Sequence, residues 1–166
     1  LTEFRGRESA ATEAVGYGKA LMGFHMVRRH VGDAAFRKVL ARFYADFRGK
    51  RATFDDFRRT AEAVAGAPLS ALFDPWVTRP GAAELVLGPA TVAKTATGWT
   101  VSGTLRQSQK DDPFALEVPV AVVTEKGTVR KVVPLDGREA RFEVATDAEP
   151  LGLAADPQFD LFRKPD

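Results

Sequence analysis

The chain has 166 residues, enough for one domain or two small ones. A hydrophobic content of 45% supports real cores, and a net charge of +2 is too small to imply a nucleic-acid partner. Without cysteine there are no disulfides or thiolate metal sites, and no apolar run approaches the roughly 18–20 residues of a membrane span. No signal peptide is visible and the first residue is Leu1 rather than Met, so the chain reads as an excised piece, with cytoplasmic and periplasmic or secreted locations both open.

Residues 1–14 are polar and mixed, an irregular lead-in with at most a short helix from Ser9. The next stretch, Val15-Gly16-Tyr17-Gly18-Lys19-Ala20, places a glycine-flanked tyrosine at the start of an apolar helix over 15–31. Arg28, Arg29 and His30 suit the negative end of that helix's dipole, and Gly32 stops it. Asp33 is the expected cap of a second helix over 34–48, whose buried face is Phe36, Val39, Leu40, Phe43, Tyr44 and Phe47 at spacings of three and four. Thr53 starts a third helix by accepting from a backbone amide three residues on. Phe54, Phe57, Ala61 and Val64 form its inner face, and Gly66 ends it. Pro68 fits the first position of a fourth helix, 68–78, and Arg79-Pro80-Gly81 breaks the helical pattern.

From there the period changes to two. Segments 84–88, 90–96, 99–107, 114–124, 128–135, 141–146 and 151–155 read as strands, with clean alternation at Trp99, Val101, Gly103, Leu105 and at Leu116, Val118, Val120, Val122. Thr97-Gly98, Lys126-Gly127 and Asp136-Gly137 mark the turns. Pro119 predicts an edge position or a bulge. The expected fold is α+β: about four helices over 1–80, then an antiparallel, Ig-like β-sandwich of about seven strands over 81–166. The first part carries about +5 and the second about −3, a mild dipole of the kind docking surfaces show.

Little in the chain carries chemistry by itself. His25 and His30 are five apart on a helix, whereas a helical zinc pair is spaced by three or four, so His25 reads as packed and His30 as solvated. Ser9, Ser70, Ser102 and Ser108 lie in no nucleophile-elbow pattern. Gly16-Tyr17-Gly18-Lys19 is too short for a phosphate loop and follows no strand. Asp55-Asp56 and Asp111-Asp112 suit a helix start and a hairpin tip. Arg28, Arg29, Arg37, Lys38, Arg42, Arg48, Lys50, Arg51, Arg58 and Arg59 alternate with acids and lack exposed aromatics for base stacking, so they read as a solvated or docking face. Tyr17 taken alone is more often a buried aromatic at a helix start than a catalyst.

The order of motifs nevertheless resembles the aminopeptidase N family of zinc metallopeptidases. The matching residues are Gly16-Tyr17-Gly18-Lys19-Ala20 before an apolar helix, then Val31-Gly32-Asp33 with Phe36 and Leu40. Ala52-Thr53-x-Asp55-Asp56-Phe57 follows, then Gly66, Leu69, Phe73-x-x-Trp76-Val77 and Pro80-Gly81-Ala82. The tail Ala154-Ala155-Asp156-Pro157-x-Phe159-x-x-Phe162-Arg163 resembles the end of that family's sandwich. Ala20 departs from the family's usual glycine. The resemblance implies the end of a peptidase catalytic domain, 1–80, followed by a β-sandwich domain, 81–166. It implies that Tyr17 is the oxyanion-stabilising hydroxyl. It also implies that the zinc ligands, the general-base glutamate and the substrate loop belong to an upstream domain, with zinc and a peptide substrate in the parent and neither catalytic metal nor peptide cleavage here. Tyr17 is then expected to be unusually exposed or disordered, because the domain that would cover it is missing. The alternatives are a non-catalytic scaffold or interaction module of an inactive relative, and a free-standing sandwich adaptor.

Overall fold

A computed structural model describes residue 1 and residues 9–164, leaving the side chains of residues 11, 14 and 15 aside. The lead-in expected around Arg5, Gly6 and Arg7 lies outside the described residues. The chain divides into two compact units, Leu1–Gly81 and Ala82–Asp166.

Among the described residues the first unit is a bundle of four helical segments. A continuous helical run opens it: α1 (Ala10–Glu13), a π-helical turn (Ala14–Lys19) and α2 (Ala20–Val31). It is followed by α3 (Asp33–Phe47), α4 (Phe54–Ala65) and α5 (Ser70–Thr78). The core gathers Val27, Val39, Phe57, Ala61, Leu69, Phe73 and Val77. Phe57 is its centre: Phe24 meets it edge-on at 4.5 Å between ring centroids, Phe43 at 5.5 Å, and Phe73 lies 5.9 Å away. Offset and edge-on rings add attraction beyond the area they bury.

The ends of the helices differ from expectation in instructive ways. Thr53 does cap α4, accepting from Asp56 N–H at 3.1 Å, and Asp56 returns the favour by accepting from Thr53 N–H at 2.9 Å. Asp33 caps nothing. Gly32 holds the cap position of α3 with no side-chain bond, and Asp33 instead accepts from Arg28 Nε at 2.7 Å and from its Nη2 at 3.1 Å. Pro68 precedes α5 rather than opening it. The orphan amide of Leu69 there is met by Glu62 Oε1 at 2.8 Å, reaching across from α4. Leu40 and Tyr44, expected inside, are exposed. The apolar stripe of α3 is wider than the face its neighbours cover.

The second unit is a β-sandwich of seven strands in two antiparallel sheets: β1 (Leu85–Leu87), β2 (Thr91–Thr95), β3 (Gly98–Gln107), β4 (Leu116–Thr124), β5 (Gly127–Leu135), β6 (Glu139–Thr146) and β7 (Pro150–Ala155). In one sheet the long β3 pairs with β1 and β2 along one edge and with β6 along the other. The second sheet has the order β5-β4-β7. Val101, Leu105, Phe142 and Val144 of the first sheet and Leu116, Val118, Val120, Val122, Val133 and Leu135 of the second are buried. Gly103 breaks the large-residue alternation of β3 because Phe142 lies opposite; a Cβ there would sit 2.7 Å from the ring.

Pro119 is a correction. Its strand β4 is the central strand of its sheet, not an edge. The β4–β7 register starts only at Val120↔Ala155, and the Pro119 carbonyl accepts from Asp156 N–H at 2.6 Å. The missing proline N–H faces the end of β7, where the Asp156 carbonyl it would meet accepts from Phe159 N–H at 3.1 Å instead, so no buried acceptor is left open by it. The irregularity in the β4–β7 ladder lies elsewhere, opposite Val123/Thr124, where β7 carries the extra residue, Leu151.

Two buried polar clusters tie the sandwich ends. The Gln107 amide donates to the carbonyls of Phe114 at 2.8 Å and Gly137 at 3.1 Å and accepts from Phe114 N–H at 2.9 Å. Asp156, fully buried, accepts from Asp160 N–H at 2.7 Å and from Arg163 Nε at 3.0 Å. The chain beyond it bridges back to the first residues of the unit through Ala83 and Arg163. Burial pushes the Asp156 carboxyl up, against the pull of Arg163 and the backbone amides.

The Glu62 carboxyl is held below the ordinary 4.5, first by the Leu69 amide and then, against burial, by Arg58. A depressed carboxylate stabilises the fold above its unfolded pKa and loses that contribution as pH falls through the folded value. We expect Glu62→Gln to cost about 1.5 kcal/mol at pH 7. It should also shrink the loss of stability on acidification below pH 4.5, read from urea midpoints at successive pH. An unchanged acid limb in the variant would refute the assignment.

Candidate functional site

The π-helical turn carries the candidate residue. Its glycines, Gly16 and Gly18, flank Tyr17. The tyrosine does not stand at the start of its helix, as expected for a helix over 15–31. Helical backbone starts at Ala10 and passes through it without a break. The extra residue of a π turn shifts the faces on either side of it, which is why such turns recur at functional sites. Tyr17 is 57% exposed, and Leu21, one turn on, is exposed beside it.

Lys19 explains how the turn is held. It is only 2% exposed. Its ammonium donates to the carbonyls of Arg79 and, at 3.2 Å, Gly81, just beyond the C-terminus of α5. The same Nζ lies 5.9 Å from the centroid of the buried Trp76 ring. A cation suits this place because helix C-termini present unsatisfied carbonyls and the negative end of the dipole. Gly81, with φ of 78°, supplies the left-handed conformation that turns the chain there. Burial, and then the nearby Arg79, lower the Lys19 pKa from its ordinary 10.5.

Lys19 entered the sequence reading only as part of the matching motif around Tyr17, with no role of its own. A signal was present. No acid lies three or four residues from it on its helix, only Val15, Gly16, Met22 and Gly23, so nothing local would pair a solvated lysine.

The other candidates do not converge on Tyr17. His25 is half-buried and His30 exposed, and among the described residues no group of three or more His, Cys, Asp or Glu could hold a metal ion. Of the basic set, Arg28 pairs with Asp33, Arg42 with Asp46 at 3.6 Å, and Arg59 with Asp55 at 2.6 Å. Arg58 joins Asp55, Glu62 and Asp74. These are helix-surface pairs of small energetic weight apart from the half-buried Arg58 cluster. Two open grooves of about 350 and 410 Å³ lie along β5 and β6 in the sandwich, lined by Lys131, Arg141 and Glu143 among others. Among the described residues no helix is long and apolar enough to cross a membrane.

No family model matches the chain. Over 67 residues, 40% of its length, it is 30% identical to Probable aminopeptidase 2 of Sulfurisphaera tokodaii, and it spans 9% of that protein. The crystal structure of Legionella pneumophila aminopeptidase A in complex with aspartic acid covers 96% of the chain with a TM-score of 0.71 at 19% identity. The match takes in 18% of that structure's chain. The chain is thus distantly similar to part of each of two aminopeptidases.

The clamp has a direct consequence for stability. Lys19→Met keeps the apolar stem but removes the donor shared by Arg79 and Gly81. Thermal or urea unfolding should show a loss of about 2–3 kcal/mol. An unchanged midpoint would show that the two carbonyls need no ammonium.

Proposed function

We propose that the chain is the C-terminal part of a zinc-dependent aminopeptidase, comprising the last helices of the catalytic domain and the β-sandwich after it, and that Tyr17 is the oxyanion-stabilising residue of that site. The observation that carries the reading is an exposed tyrosine on a π-helical turn, in a chain whose fold matches part of an aminopeptidase structure over 96% of its length. The described residues do not fit a catalytic zinc. In this reading the metal, which would supply an activated water when bound, and the general-base glutamate reside upstream.

Tyr17's part is electrostatic. When water adds to a scissile carbonyl, negative charge collects on its oxygen. A phenol hydroxyl donates one hydrogen bond, and a donor already fixed in place pays no reorganisation as the charge develops. The proton stays on the tyrosine, so the residue stabilises the oxyanion without transferring anything. The chain by itself is predicted to be inactive.

The competing reading is a scaffold or interaction module of an inactive relative. The exposed Leu21, Leu40 and Tyr44 favour a covered helical face in either case, so kinetics must separate the two. In the full-length protein, Tyr17→Phe should lower kcat by roughly 10²-fold or more while stability stays near wild type. Near-normal turnover would remove Tyr17 from the chemistry, and an inactive full-length protein would favour the scaffold. For the isolated chain the expectation is no zinc-dependent hydrolysis of an aminoacyl-arylamide, and measurable hydrolysis would overturn the division of the site.

A further inference from the structure

We infer that Lys19 is a positioning residue, whose buried ammonium fixes where the Tyr17 hydroxyl stands by tying the π-helical turn to the end of α5. The inference rests on the reading of Tyr17 as oxyanion donor.

At about 100° per residue, two positions along a helix face nearly opposite sides. Lys19 accordingly points into the helical unit and is buried, while Tyr17 points out and is exposed. The turn that carries them is the glycine-bearing part of the helical run. Gly16 and Gly18 flank the tyrosine, and a Cβ added at Gly18 would meet nothing within 4 Å. Glycine leaves the backbone its full conformational freedom. Lys19 supplies fixed points within the helical unit: the carbonyls of Arg79 and Gly81 and the face of Trp76. These three residues sit about sixty positions further along the chain, at the end of α5 and in the turn after it. A rotation or slip of the turn therefore moves Tyr17 and breaks the Lys19 contacts together. Oxyanion stabilisation is sensitive to such slips, since a displacement of about 1 Å can cost on the order of 10²-fold in rate.

A merely structural lysine would lower stability and leave the geometry of Tyr17 alone. The two tyrosines, Tyr17 and Tyr44, make that distinction measurable. With 3-fluorotyrosine incorporated in this chain and the lines assigned by Tyr44→Phe, Lys19→Met should shift or broaden the Tyr17 resonance and leave that of Tyr44 in place. Asp156→Asn, which disturbs the buried pair of the other unit, should move neither. In the full-length protein, Lys19→Met should lower kcat by roughly 10- to 10²-fold with KM changed less than about twofold. Lys19→Arg, which keeps the charge, should recover part of that loss, and Asp156→Asn should leave kcat unchanged. The double variant Lys19→Met/Tyr17→Phe should be no slower than Tyr17→Phe, because both changes remove one interaction. Should Lys19→Met not fold, Lys19→Arg carries the same measurements, with a smaller Tyr17 shift expected. A Tyr17 resonance and a kcat that both stay at wild-type values would overturn the inference. If Tyr17→Phe itself turns over normally, the oxyanion reading fails, and the resonance in Lys19→Met still decides whether Lys19 positions the turn.

Discussion

A buried ammonium on the carbonyl end of a helix is the constraint on which the first unit turns. Lysine is seldom fully buried, because removing its charge from water is costly unless donors and acceptors match. Here the carbonyls of Arg79 and Gly81 and the Trp76 face take over from water. The bond closes the unit, joining the opening helical run to the last turn before the sandwich begins. It also anchors the glycine-bearing π turn on which stands the one side chain for which a chemical role is proposed.

The rest of the helical unit is organised so that long-range contacts complete local ends. Glu62 of α4 meets the first amide of α5, and Arg58 is held by carboxylates from both helices. Around Phe57 the rings of Phe24, Phe43 and Phe73 converge from three other segments. The sandwich follows the same logic with different residues. Gln107 and Asp156 are buried polar groups, the first bonded to backbone as far off as Gly137, the second to the Asp160 amide and the Arg163 side chain just beyond it. Each is costly if left unmatched, so each selects one register and one path for its loop.

Much of this was legible in the residues. All seven strands were found, since a period of two with glycine turns leaves few alternatives over short segments. The Thr53 cap could be located because capping is local: the atoms that bond are three residues apart. Errors arose where residue type and spacing left more than one partner open. Asp33 had the composition of a cap but bonds Arg28 instead. Pro119 signalled an edge, and only the early end of β7 shows how a central strand accommodates it. Leu40 and Tyr44 lie on the apolar stripe, yet the stripe alone does not say how much of it a neighbour covers. Tyr17 was singled out by its resemblance to a known motif, whereas Lys19, two residues on, acquired its place only from a turn sixty residues away.

The sequence by itself determined the kinds of elements, their order and the change from helices to strands near Gly81, because periodicity, caps and turn residues act over a few positions. Tertiary structure decided which polar groups are buried, which apolar ones remain exposed and how the tyrosine turn is anchored. Those outcomes depend on desolvation and on partners brought together by the fold, and neither is written in the spacing of neighbouring residues.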